Sequence, residues 1–203
     1  MELLLVIIIG YFIGNIPFSY IFTKIFTQRD IRMIGSGNVG ATNAFRSGGN
    51  LVGILSLLAD MLKGFVSAWV GLSLGGELGA LLASLAVVIG HCYPVFLKFK
   101  GGKGVASVGG IVIFLMPQLV LPLAIIFFSI MFISRFVSLS SMGAAFFLPF
   151  LAFYSGQTWH YCVTTLVLAV FLIYKHKENI ERLRKGNENT IKWIDKIFDS
   201  QNF

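Results

Sequence analysis

The chain reads as an all-α, polytopic integral membrane protein, and three features carry that expectation. Hydrophobic residues make up 56% of the 203 positions and charged residues only 12%, about half the charge of a soluble domain. The apolar runs outlast what a small soluble core uses and suit the ~20 residues of a membrane-crossing helix. The 16 Lys and Arg, Lys63 apart, fall into four groups separated by long, nearly uncharged intervals.

Those groups set the topology. Lys24, Arg29, Arg32 and Arg46 follow the first apolar run, and Lys98, Lys100 and Lys103 form a second group. Arg135 stands alone, and seven more cations lie from Lys175 to Lys196. The first run, Leu3 to Thr23, starts after Glu2 instead of a basic region, and no small-x-small cleavage site follows it. It is therefore expected to be a retained span and not a signal peptide. The positive-inside rule places all four groups on the cytoplasmic side, so each interval between them must cross twice. Residues 47–97 hold two spans turning at Ser73 to Glu77, and residues 136–174 hold two turning near Ser155 to Gln157. Residues 104–134 hold two only if both are short, with the turn near Pro117. The alternative there is one long tilted helix, which would change the side on which Arg135 and the tail emerge. The expectation is seven transmembrane helices, some short, with the N-terminus outside and the C-terminus cytoplasmic. Every expected outer turn then lacks Lys and Arg.

Residues 1–203 are expected to form a single membrane-embedded domain, with 178–203 as a cytoplasmic tail. The tail mixes Ile180, Leu183, Ile191, Trp193, Ile194, Ile197 and Phe198 with basic residues, and Lys192 and Lys196 stand one turn apart. That pattern fits an amphipathic segment on an anionic leaflet, or a solvated tail. The net charge of +7 would point to nucleic acid in a soluble protein, but its placement assigns it to the membrane surface. No nucleic-acid partner is expected. Cys92 falls near the inner end of one span and Cys162 near the outer end of another, which implies free thiols. Neither has ligands at metal spacing, so no metal site or cofactor is expected.

The polar clusters all lie on the expected inner face. Residues 35–46, Gly-Ser-Gly-Asn-Val-Gly-Ala-Thr-Asn-Ala-Phe-Arg, have the composition of an anion cradle. Gly35, Gly37 and Gly40 allow backbone N–H groups to converge on an oxyanion, and Ser36, Asn38, Thr42 and Asn43 add short hydrogen-bonding side chains beside Ala41. Arg46 closes the segment with a forked, permanently charged donor. A second phosphate-suited loop is Gly101-Gly102-Lys103-Gly104. Two formal matches fail on context. Gly35 to Gly40 fits the dinucleotide pattern G-x-G-x-x-G, but a membrane span precedes it and no strand-helix-strand unit follows. Gly102-Lys103 resembles a P-loop ending, but Leu97 stands at the required first glycine and Gly104 at the Ser or Thr.

Lys63 is a cation within an apolar stretch, three residues after Asp60 on the same helix face. A charge at that depth costs at least ~2.5 kcal/mol unless it is paired or reaches water. It marks either a functional site or an ion pair that fixes helix packing, and the two are compatible. His91 near the inner end of a span suits a general base or a neutral donor. His176 and Asn179 share a face at i, i+3 and suit hydroxyl groups; His160 reads as surface.

As a set these residues resemble the bacterial acyl-phosphate glycerol-3-phosphate acyltransferases, the PlsY family. The matching motifs are Gly35 to Asn43 with Arg46, Asp60-Met-Leu-Lys63-Gly64, and Gly90-His91 through Pro94 to Gly101-Gly102-Lys103-Gly104-Val105-Ala106. The likeness continues through Ser134-Arg135 to Ser141 and through His176-Lys-Glu-Asn179 to Gly186, so it covers nearly the whole chain. It departs only where Lys175 and Lys177 replace a frequent arginine and Ser107 a frequent threonine. The resemblance implies a monomeric bacterial inner-membrane enzyme whose active site faces the cytoplasm. It implies acyl transfer from acyl phosphate to the 1-position of sn-glycerol 3-phosphate, giving lysophosphatidic acid and phosphate, the first step of phospholipid biosynthesis. Under it, Arg46, Lys103, Ser36 and the loop amides hold phosphates, with Lys63 as a third cation. The amides around Asn38 to Thr42 and Lys103 stabilise the transition state, Ser141, His176 and Asn179 orient the glycerol, and either His91 or a substrate phosphate takes the proton. The competing class is a membrane transporter of phosphate esters, but the inverted repeats typical of transporters are not visible.

Overall fold

The computed structural model describes residues 1–190; the part of the tail carrying Ile191, Lys192, Trp193 and Lys196 lies outside them. Every regular element among the described residues is helical. Four stretches are long and apolar enough to cross a membrane: Glu2–Thr27, Ala41–Leu97, Pro117–Ser134 and Val137–Tyr154. Val105–Leu115 and Trp159–Lys175 are shorter apolar helices. The chain divides into two units, Met1–Pro117 and Gln118–Phe203.

In the first unit the expected single span Leu3 to Thr23 is two helices, α1 (Glu2–Asn15) and α2 (Phe18–Thr27). Pro17 separates them because it has no N–H to continue the ladder. Helix α3 (Ala41–Cys92) is interrupted at Gly49 and at Gly75-Gly76, leaving limbs 41–48, 50–74 and 77–92. The second interruption lies inside the 73–77 turn read from composition, and Gly76 adopts φ 60° and ψ −154°, a region closed to residues with a Cβ. The last two limbs fold against each other, with Ser67 Oγ donating to the Ala83 carbonyl at 3.1 Å. Helix α4 (Val105–Leu115) packs on the 50–74 limb, the Gly64 Cα against the Ser107 backbone and the Gly110 Cα against that of Met61. Lipid tails supply no hydrophobic drive between helices, so such close backbone approach at small residues is what holds them. The outward faces stay apolar: Leu4, Leu58 and Leu62 are 56 to 64% exposed, as suits a hydrocarbon surround.

Between α2 and α3, Asp30 caps a 3₁₀ turn at Ile31–Met33 through the Arg32 amide. The hydrogen-bonded Arg32 guanidinium, 2.6 Å away, holds the Asp30 carboxyl down to about 2. Ile31, Val39, Ala44, Val52 and Leu97 form a small buried core behind this loop, so the glycine-rich segment rests on a fixed support.

The second unit contains α5 (Val120–Ser134), α6 (Val137–Tyr154), α7 (Trp159–Lys175) and α8 (Lys177–Arg184). Arg135, with φ 65°, ends α5, and Gly156, with φ 74°, follows α6 in the 155–157 turn. Cys92 is a buried free thiol, and the free thiol of Cys162 is partly exposed.

Candidate active site

Helix α3 begins at Ala41, so the glycine-rich segment is a loop only to Gly40, and Thr42, Asn43 and Arg46 ride on the helix. Gly35 and Gly37 take φ of 58° and 69°, which turns the chain tightly around the Asn43 side chain. That side chain is buried and fully engaged. Its Oδ1 accepts from the Ser36 amide at 3.1 Å, and its Nδ2 donates to the carbonyls of Ile34 (2.9 Å), Ile31 (3.0 Å) and Asn38 (3.1 Å). Asn43 thus clips the loop into shape, a different task from the ligand contact read from its chemistry. The helix end it fixes is capped by Gly40 with no side-chain hydrogen bond. The N–H groups of Ala41 and Thr42 have no intrahelical acceptor, and the helix dipole favours an anion there. Ser36, Asn38 and Thr42 are half-buried beside this end, and Arg46 is exposed one turn further along.

The second glycine loop uses its amides differently from the expectation. Gly101 donates its N–H to the Cys92 carbonyl (3.2 Å) and Gly102 to that of His91 (3.1 Å), so both serve to tie the loop to the end of α3. The open donors fall one step later, at the N-terminus of α4. Gly104, at φ 85°, caps that helix, again with no side-chain hydrogen bond. The amides of Val105 and Ala106 therefore have no intrahelical acceptor, and half-buried Lys103 lies beside them in the chain. Gly102 packs against the Val39 carbonyl and the Nε2 edge of His91 so closely that a Cβ would overlap both. The two loops meet at this point, and α3 and α4 begin two and three residues beyond it.

Beneath the loops lies a buried polar cluster bordering a small pocket lined by Gly14, Ser19, Val39, Asp60, Lys63 and His91. The Lys63 ammonium is 2.8 Å from Asp60 Oδ1 and donates to the carbonyls of Gly14 (3.2 Å) and Ile16 (3.1 Å). These carbonyls lie at the break between α1 and α2, where the Phe18 amide turns to the Ile16 carbonyl (3.1 Å) instead of continuing the ladder to Gly14. Lys63 thus spends its donors capping a broken helix, and its side chain is 3% exposed. Ser19 Oγ donates to Asp60 Oδ2 at 3.3 Å. His91 Nδ1 sits 3.6 Å from Asp60 Oδ1 and 3.4 Å from Ser107 Oγ, while Gly102 packs against the Nε2 edge.

In the second unit, Ser141 Oγ donates to the Val137 carbonyl at 2.8 Å. His176 Nδ1 donates to the Leu172 carbonyl at 2.7 Å, which fixes its tautomer and turns Nε2 away from its own helix. The sequence reading passed over Glu188. Gly186, at φ 70°, reverses the chain after α8 and brings Glu188 back onto α6 and α8. Its Oε1 accepts from Asn179 Nδ2 (2.6 Å) and Ser138 Oγ (2.9 Å), and its Oε2 from Arg182 Nε (2.7 Å). Burial pushes the Glu188 carboxyl up, but the three donors outweigh it and hold it below the ordinary value. A lowered folded pKa means stability that is present above the usual carboxylate pKa of ~4.3 and is lost as pH falls through the lowered value. Glu188→Ala leaves three donors without their acceptor and is expected to cost on the order of 3 kcal/mol, read as a fall in thermal stability in detergent. Glu188→Gln, which keeps an acceptor, is expected to cost less and to flatten the acid limb of the stability profile.

A family model described as glycerol-3-phosphate acyltransferase matches residues 4–186. The chain is 48% identical over 185 residues to a glycerol-3-phosphate acyltransferase of Syntrophomonas wolfei, covering 91% of this chain and 95% of that one. It is 40% identical over 194 residues to the protein of the same name in Bacillus subtilis, covering 96% and 100%. Among solved structures it is similar to PlsY (YgiH), an integral membrane glycerol 3-phosphate acyltransferase. The glycerol 3-phosphate form gives a TM-score of 0.91 at 36% identity, covering 98% of this chain and all of that one. The lysophosphatidic acid form gives 0.87 at 35% identity, covering 94% and 96%.

Proposed function

Because the chain belongs to the glycerol-3-phosphate acyltransferase family, we propose that its two uncapped helix N-termini hold the two phosphates of the reaction. One belongs to acyl phosphate, the acyl donor, and the other to sn-glycerol 3-phosphate, whose 1-hydroxyl is acylated. The observation that carries this reading is the meeting of the α3 and α4 ends at the contact between Gly102 and Val39. Each end offers open amides in a helix-dipole field, one with Ser36 and Arg46 near it and the other with Lys103.

Attack of the 1-hydroxyl oxygen on the donor carbonyl forms the ester C–O bond and breaks the C–O bond to the leaving phosphate. Charge grows on the carbonyl oxygen and on that phosphate. Amides at Asn38, Ala41 and Thr42 and the Lys103 ammonium are the groups that stabilise it. We take the hydroxyl proton to phosphate and His91 as a positioning residue, since its Nδ1 edge faces Asp60 and Ser107 and Gly102 packs over its Nε2 edge. Holding both substrates in register supplies much of the rate. Lys63 with Asp60 keeps the α1 break in place. No cofactor enters the reaction.

The protein is read as a monomer crossing the bacterial cytoplasmic membrane seven times, with its N-terminus outside and the site on the cytoplasmic side. The crossings are α1 with α2, the two long limbs of α3, α4, α5, α6 and α7. With 11 residues, α4 is about 16 Å long against a ~30 Å hydrocarbon core, so at least one end lies below the membrane surface, and this reading puts its N-terminus there. That depth brings a phosphate site within reach of an acyl chain in lipid.

The test uses purified protein in detergent with palmitoyl phosphate and glycerol 3-phosphate. The expected result is lysophosphatidic acid and phosphate in equal amounts. Absence of both products, with ester movement across sealed vesicles, would replace the enzyme by a transporter.

A further inference from the structure

We propose that residues 95–100 form a headgroup-docking platform for anionic phospholipid, and that docking there steadies the phosphate loop that follows. Phe96 is 71% exposed, Phe99 58% and Val95 47%, an apolar cluster on the 3₁₀ turn Val95–Leu97 and the residues after it, where the candidate span Ala41–Leu97 ends. Interleaved with them, Lys98 and Lys100 are exposed, and neither ammonium has a carboxylate partner among the described residues. Aromatic rings beside lysines favour the boundary between acyl chains and headgroups, where the rings leave water and the cations meet lipid phosphate. The positive charge selects anionic lipid over zwitterionic lipid.

The backbone gives this arrangement a link to the site. Lys98 and Phe99 are consecutive non-glycine residues at φ 54° and 61°, a left-handed pair that L side chains avoid. The pair reverses the chain, with the Phe99 amide donating to the Pro94 carbonyl at 2.9 Å and the Lys100 amide to Leu97 at 3.2 Å. The reversal turns Phe99 outward and leads straight into Gly101 and Gly102, whose amides bind the end of α3. A surface that holds Phe99 and its flanking lysines therefore also holds the entrance of the Gly102 to Lys103 loop.

The experiment compares nanodiscs of phosphatidylcholine alone with nanodiscs containing equal parts phosphatidylglycerol. Hydrogen exchange of residues 95–104 is read without substrate, so it stands or falls independently of the acyl-transfer reading. Phosphatidylglycerol is expected to slow that exchange by about an order of magnitude, as two surface lysines warrant, and to raise kcat/KM. Lys98→Gln with Lys100→Gln is expected to abolish both responses while keeping the wild-type rate in phosphatidylcholine, and Phe96→Ser with Phe99→Ser to weaken both. Equal exchange in the two bilayers, or an undiminished response in the double glutamine variant, would overturn the platform. Slowed exchange with unchanged kinetics would overturn its link to the phosphate loop.

Discussion

Gly102→Ala is expected to lower kcat/KM for glycerol 3-phosphate by about 10²-fold, mainly through KM, together with a loss of about 1–3 kcal/mol of stability from the overpacking. The new Cβ would overlap His91 Nε2 and the Val39 carbonyl. Neither neighbour can yield cheaply: the other edge of the His91 ring is held by Asp60 and Ser107, and Val39 belongs to the buried core behind the first loop. The loop must move instead, and a displacement of ~1 Å between two anchored phosphates is enough for a loss of that size. Gly109→Ala is the control. The nearest atom to its Cβ would be Met61 Cε at 3.9 Å, so this change inside α4 is expected to leave both kinetics and stability intact. Wild-type kinetics for Gly102→Ala would mean that the contact between the loops does not set the site.

Removing the Lys63 ammonium is expected to have the largest effect on stability. Lys63→Met leaves the Asp60 carboxylate, 2% exposed, without its counter-ion and withdraws a donor from the Gly14 and Ile16 carbonyls. A buried charge stripped of its partner typically costs about 3–5 kcal/mol. Lys63→Met combined with Asp60→Asn removes the orphaned charge, so the double variant is expected to regain most of the loss. It stays below wild type, because the Gly14 and Ile16 carbonyls still lack the Lys63 donor. The readouts are thermal unfolding in detergent and KM for each substrate. A raised KM with unchanged unfolding would instead make Lys63 a phosphate ligand.

Composition and charge were informative about where helices stop. The nearly uncharged intervals between Arg46, Lys98, Arg135 and Lys175 pointed to turns near 73–77, 117 and 155–157, and helices break or end at Gly75-Gly76, Leu115 and Tyr154. The reason is physical: an uncharged interval too long for one crossing must reverse where small polar residues or proline occur. Interior breaks were less visible, and Pro17 divided a run whose hydropathy is continuous.

At the candidate site, sequence chemistry identified groups suited to phosphate but not the direction of their hydrogen bonds. Asn43, read as a ligand, turns inward to three carbonyls because Gly35 and Gly37 wrap the backbone around it. The amides of Gly101 and Gly102 turn back to α3, which moves the open donors to Val105 and Ala106. Glycine leaves such dihedrals undetermined until packing chooses among them. Glu188 escaped notice because its partners are set by the Gly186 reversal, and Ser138 lies 50 residues away.

The most direct test of the account is the turnover of His91→Asn with both substrates saturating. Asparagine keeps a donor toward Asp60 and removes the imidazole, so it separates positioning from proton transfer. If phosphate takes the proton and His91 positions the loop, kcat stays within about threefold of wild type, KM for glycerol 3-phosphate rises, and the pH profile keeps its shape. A fall in kcat of about 10²-fold or more, with loss of a limb near neutral pH, would make His91 the general base and contradict the account.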